Sequence, residues 1–202
     1  MIDCPTSCSD ILPVAKYDYC DPEVKFGEIR KIFFATIDAD PFVDWENMAE
    51  WYMRVDNDDD TDINAIRELT VSADKPQGEY DDIMLSNNRR VRTSGTHTIN
   101  ISIDDNSDAN YDLARWAGCN TTIKFWYVTK TKMYGGNDGI TGNLHLNEVI
   151  ERGNKGIKFI NGTLTWEARY APDRADYEEI PSFAYLAYDE DLLVYDDDYL
   201  TI

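Results

Sequence analysis

The chain has 202 residues, 43% apolar and 12% aromatic, with 39 acidic against 19 basic side chains and a net charge of −20. That length can bury a core of its own, and the composition is globular rather than disordered. The charge excludes a surface built to grip nucleic-acid phosphates, which needs clustered Lys and Arg, but it allows a duplex to slide past a repelling wall.

No run of about 18 apolar residues is present, so no membrane span is expected. Met1-Ile2-Asp3-Cys4-Pro5 lacks the basic and apolar regions of a secretory signal, and synthesis and assembly in a cytoplasm are expected. Four cysteines in a chain of this size do not make a secreted disulfide scaffold.

Residues 1–22 read as an irregular N-terminal arm, because Pro5, Pro13 and Pro22 interrupt regular structure around Cys4, Cys8 and Cys20. A β-rich core is expected over residues 23–171. Val24 to Ile37 predicts a long first strand with Gly27 as a bulge. Asp44 then has the position of a helix N-cap, with Val43 and Met48 as a hydrophobic staple. Trp45, Met48, Ala49 and Tyr52 fall on one face of an amphipathic helix of about three turns that ends in the acidic run Asp56 to Asp62. Ile63 to Val71 is open between helix and strand. Strand is favoured, because the turn residues Asp74 to Gly78 follow closely.

Ile83 to Leu85 and Val91 frame a hairpin over Asn87-Asn88, beside the dense basic patch Arg89, Arg90 and Arg92. Next comes the central unit. His97, Ile99, Ile101 and Ile103 alternate with Thr96, Thr98, Asn100 and Ser102, which predicts a half-buried strand. Asp104 to Asp108 supply caps for a helix with Ala109, Leu113, Trp116 and Ala117 at helical spacing, and Gly118 stands as a left-handed terminator. Thr121 to Val128 is β-branched and aromatic, hence strand. Gly135 to Gly139 is a loop, Leu144 to Ile150 a strand, and Ile157 to Tyr170 a hairpin turning at Asn161-Gly162.

From Pro172 the composition changes. Residues 172–202 form an acidic-aromatic C-terminal arm in which Phe183, Tyr185, Tyr188, Leu192, Leu193, Tyr195 and Tyr199 are spaced by carboxylates. Such anchors suit an arm that binds a partner by strand addition or in a groove; the plainer alternative is a last strand of the chain's own sheet. The hairpin arginines are candidates to meet acidic tails of neighbouring copies, a contact that would set register.

Other motifs carry less chemistry. The acidic runs from Asp56 and from Asp104 resemble calcium loops but lack the required Gly at the sixth and Glu at the twelfth position. Cys4, Cys8 and Cys20 offer three thiolates to zinc, with Cys119, His97 or His145 as a fourth ligand. The alternatives are buried apolar cysteines or a disulfide that pins the arm. No other cofactor is implied. Five Trp and thirteen Tyr suit a core and subunit interfaces, or else a carbohydrate platform.

Several stretches carry a resemblance: Cys4-Pro5-x-x-Cys8, Asp18 to Ile29, the Asp44-Trp45 helix, Ala73-Asp74-Lys75-Pro76, Tyr134-Gly135-Gly136-Asn137 and Gly162 to Trp166. Over residues 4 to 175 the chain resembles virion structural proteins of crAss-like and related Bacteroidota phages. The resemblance implies a mainly β fold, a tail-tube-like β-sandwich or barrel with one or two short α-helices and extended N- and C-terminal arms. It also implies a ring component of the phage tail or head-tail connector and no enzyme. The chain would pack on itself in a multi-copy ring, against neighbouring tail, portal or connector proteins, around double-stranded DNA that passes without sequence-specific binding. It would be assembled in the host bacterial cytoplasm and end in the virion. A capsid-decorating or head-completion protein is the first alternative, and a carbohydrate-binding module or a metalloenzyme on the cysteines are the others.

Overall fold

The computed structural model describes residues 28–55, 62–86, 88, 90–119, 121–150 and 158–177. In chain order these form β1 (Ile29–Ala35), α1 (Met48–Val55), β2 (Arg67–Asp74), β3 (Glu79–Met84), β4 (Arg90–Ile103), α2 (Asp108–Cys119), β5 (Thr122–Val128), β6 (Lys132–Tyr134), β7 (Ile140–Ile150), β8 (Lys158–Ala168) and β9 (Arg174–Asp176).

Every pairing is antiparallel. Six strands close on themselves in the order β1-β2-β4-β8-β7-β5, because Phe33 of β1 lies opposite Glu68 on one side and Trp126 of β5 on the other. The fold is therefore mainly β, a closed antiparallel barrel with two short helices, as expected. A barrel this narrow is filled by its own side chains. On β4, His97, Ile99, Ile101 and Ile103 are buried while Thr96 and Asn100 face solvent, which is the predicted period of two.

β5 is buried on both faces from Ile123 to Val128. Ile123, Phe125 and Tyr127 point into the barrel, and Trp126 and Val128 point outward into a second cluster. That outer layer forms because α1 and the segment before it cover β1 and β5. Trp51 is fully buried there, beside Phe33 and Phe42, and its indole N–H donates to the Trp45 carbonyl at 2.7 Å. Lys124, the buried charge on the same face, donates to the Ala39 carbonyl at 2.8 Å and pairs with Asp138 at 2.7 Å. The glycine-rich loop wraps Trp126, whose indole N–H donates to the Gly136 carbonyl at 2.8 Å. Gly139 has φ +71 there, and a Cβ on it would come within 2.7 Å of the Trp126 ring.

Several expectations need correction. α1 starts at Met48, so the helix is shorter than the pattern from Trp45 suggested. Its cap is Asn47, whose Oδ1 accepts the Ala49 N–H at 3.1 Å, while Asp44 caps the preceding turn through the Glu46 N–H. Val43 is 90% exposed and forms no staple. The segment is held instead by Glu50, which accepts the Val43 and Asp44 N–H groups and pairs with Arg54 at 2.7 Å. Gly118 lies inside the last turn of α2 and is not among the positive-φ glycines.

The Asn161-Gly162 pair is not a turn. It sits in the middle of β8, where Gly162 faces Ile101 of β4 on one side and Leu146 of β7 on the other. Glycine is required there by close approach, since an added Cβ would stand 2.2 Å from the His145 carbonyl oxygen. The β7–β8 connection falls in 151–157, outside the described residues. β2 begins at Arg67, after a turn in which Asp62 accepts the Asn64 N–H, and runs on through Asp74. The proposed start of the C-terminal arm at 172 also shifts. β9 pairs with β6 and buries Ala175, so the barrel body continues to Tyr177. The arm of residues 1–22, the bulge at Gly27 and the strand start at Val24 lie outside the described residues.

Candidate assembly surfaces

β2 and β3 lie one after the other along the same edge of β4. Ser72 to Asp74 face Ser102 to Asn100, and after a four-residue loop Glu79 to Met84 face Thr96 to Arg90. On its other edge β4 meets β8 only from Gly95 onward. Arg90 to Ser94 and β3 therefore stand beyond the barrel as a two-stranded ribbon. Its tip is apolar and open, with Ile83 55%, Met84 60% and Leu85 46% exposed. The chain reverses through Asn88 at φ +59, a left-handed position that Asn tolerates. The predicted hairpin is thus present. Of its arginines, Arg92 stacks over Tyr80 at 4.0 Å and faces Asp82 across the ribbon, and Arg90 is exposed opposite Met84. Arg89 lies outside the described residues.

At the root of the ribbon His97 is 3% exposed. It stacks on Trp166 with centroids 5.1 Å apart and meets the edge of Tyr80 at 5.4 Å. Neither ring nitrogen makes a hydrogen bond of full geometry. Burial, and then the nearby Lys75 ammonium, hold its pKa below the ordinary imidazole value, against a smaller opposing pull from the Ala168 backbone. A cavity of about 340 Å³ opens beside it, lined by Tyr80, His97, Tyr127, Tyr134, Lys75 and Pro172 among others. Tyr127 and Tyr134 stack in parallel at 4.7 Å. Burial first, and Tyr134 second, push the Tyr127 phenol above its usual range.

The remaining candidates are dispersed. Among the described residues no three His, Cys, Asp or Glu side chains are grouped to hold a metal ion. Cys119 is an exposed free thiol at the end of α2, at the opposite end of the barrel from His97, and His145 is exposed on β7. Cys4, Cys8 and Cys20 lie outside the described residues, as do Phe183, Tyr185, Tyr188, Leu192, Leu193, Tyr195 and Tyr199. Trp45, Trp51, Trp126 and Trp166 are buried, so these indoles are core and do not form a sugar-stacking platform. Among the described residues no helix is long and apolar enough to cross a membrane.

No known protein family, curated protein or solved structure matches this chain.

Both ends of the barrel carry mixed charge, the ribbon end bearing Asp74, Glu79, Asp81, Asp82, Asp173 and Asp176 and the opposite end Arg115 and Lys158. β2, β5 and β8 all run toward the ribbon end, and the segments that follow them place Lys75, Lys130, Arg169 and Arg174 there, with Arg90 on the ribbon itself. All five are exposed and none makes an ion pair among the described residues. The opposite end carries the start of α2, where Asp104, Asp105, Asp108 and Asp112 are exposed. Periodicity and spacing missed both the cation cluster and the aromatic cavity. Their members are far apart in sequence and meet only because antiparallel closure brings alternate strand ends together.

Proposed function

We propose that this chain is a bacteriophage virion structural protein, a ring component of the tail or head-tail connector whose central channel passes double-stranded DNA. The observation that carries the reading is a closed, solid barrel with a ribbon projecting beyond it, tipped by exposed Ile83, Met84 and Leu85. A filled barrel passes nothing through itself, so a channel has to lie between copies arranged around an axis. An apolar ribbon tip on a chain of net charge −20 is a natural contact point, because elsewhere like charge opposes association. Packing the ribbon of one copy against the body of the next is a heterologous contact, and such contacts form rings when the rotation closes.

Native mass spectrometry of the purified full chain, with symmetry analysis of virion images, tests this. A closed ring of many copies coaxial with the DNA path supports it. A monomer under all conditions, or copies spread over the capsid surface, sinks it, the second outcome favouring a capsid-decorating protein.

A further inference from the structure

We propose that the ribbon tip of one copy seats on the opposite end of the next copy's barrel, over the paired turns that carry Ile37 and Ile63. This rests on the ring reading above and names the two surfaces that meet.

Among the described residues, large apolar side chains left open to solvent gather at the two ends of the barrel. Ile83, Met84 and Leu85 form the ribbon tip. At the other end, where β1 finishes and β2 starts, Ile37 is 42% and Ile63 53% exposed. Their two turns are tied together, because the Thr36 hydroxyl donates to the Ile63 carbonyl at 3.2 Å and the Asp40 N–H to Asn64 Oδ1 at 2.8 Å. They form a fixed seat. Tyr111 on α2, which joins β4 to β5, and Ile150 at the end of β7 are exposed at the same end. Val43 and Met53, on the α1 flank, stand apart. The wall between the ends is of another kind. Across β4, β8 and β7 its outward side chains run Ser102, Asn161 and Asn147 in one row and Asn100, Thr163 and His145 in the next, groups that water satisfies.

One chain cannot close this contact on itself. β4 is 14 residues long and separates the ribbon tip from the opposite end by roughly 40 Å of extended strand. A heterologous contact needs two different patches on one chain, and the two ends supply them. Charge at the contact agrees. Arg90 is exposed opposite Met84 at the tip, and the ribbon's acids Glu79, Asp81 and Asp82 lie nearer its root. At the seat Asp38 is exposed beside Ile37. Of the cations at that end, Arg67 is half-buried, and Arg115 and Lys158 pair with Asp112 and Glu148 at 3.8 Å. The apolar side chains carry the affinity and Arg90 sets the register. With both surfaces at barrel ends, successive barrels lie end to end around the ring.

Photo-crosslinking of the full chain tests this. Benzoylphenylalanine replaces Leu85, which is 46% exposed, and an unchanged melting temperature checks folding. This chain is mixed with isotope-labelled wild type, irradiated and digested with trypsin. Labelled peptides Ile32–Arg54 or Val55–Arg67 should be attached to the unlabelled ribbon. In sedimentation velocity, Ile63→Asp should associate about tenfold or more weakly than wild type, while Asn147→Asp, the same added charge on the wall, should match wild type. Closed rings in native mass spectrometry whose crosslinks join ribbon to ribbon, or ribbon to wall, overturn the inference and leave the ring reading standing. Folded Ile63→Asp that associates as wild type does the same. A wild type that stays monomeric overturns both.

Discussion

His97 is the residue at which the ribbon is tied to the barrel, and its chemistry gives a signed pH effect. Its pKa is lowered in the folded state, so below about pH 6.5 the unfolded chain binds the extra proton more readily than the folded one. Stability should be flat above that pH and should fall as pH drops through the folded pKa, at a slope of up to about 1.4 kcal/mol per pH unit. Urea unfolding of wild type and His97→Phe at pH 5 and pH 7.5 checks this. The Phe ring keeps the stack on Trp166 and removes the titration, so the variant should lose the acid sensitivity. Gly162 gives a second residue-scale prediction. Gly162→Ala forces a Cβ into the His145 carbonyl and should cost about 1–3 kcal/mol, whereas a true Asn-Gly turn at that place would have projected into solvent.

At the scale of elements, α1 shows how a cap is chosen. Asp44 and Asn47 are both good N-cap residues, and the hydrophobic pattern from Trp45 favoured Asp44. The structure selects Asn47, because the stretch before it is spent closing the outer core. Phe42 and Trp45 are buried, and their N–H groups bond the Asn137 backbone and side chain at 2.7 and 3.0 Å. Asn47→Ala should therefore cost about 1 kcal/mol, and Asp44→Ala a smaller amount, in thermal or denaturant unfolding. The reverse order would restore the longer helix. β4 is the opposite case. Its alternation from Thr96 to Ile103 was legible in sequence, because one face meets the core and the other water, and burial follows that pattern residue by residue.

At the scale of the molecule, closure and charge decide behaviour. A chain of −20 with an open apolar tip of Ile83, Met84 and Leu85 should associate through that tip against like-charge repulsion. Raising ionic strength from about 0.05 to 0.5 M shortens the Debye length to well under 10 Å, and sedimentation should show the assembly holding or tightening. Dissociation on adding salt would place the contact on charged groups instead.

The sequence by itself determined the strand content, the half-buried strand at His97 to Ile103, the hairpin at Asn88, the glycine loop and the existence of two helices. Each of these depends on side-chain period or on backbone freedom within a few residues. Only the tertiary structure decided that six strands close into a barrel, that Asn161-Gly162 runs straight between two neighbours, and that residues 174–176 belong to the body. It alone brought Lys75, Tyr80, His97, Tyr127 and Tyr134 to one aromatic cavity. Pairing partners and strand ends are long-range properties, set by which edges remain open once the local elements exist, and no window of neighbouring residues encodes them.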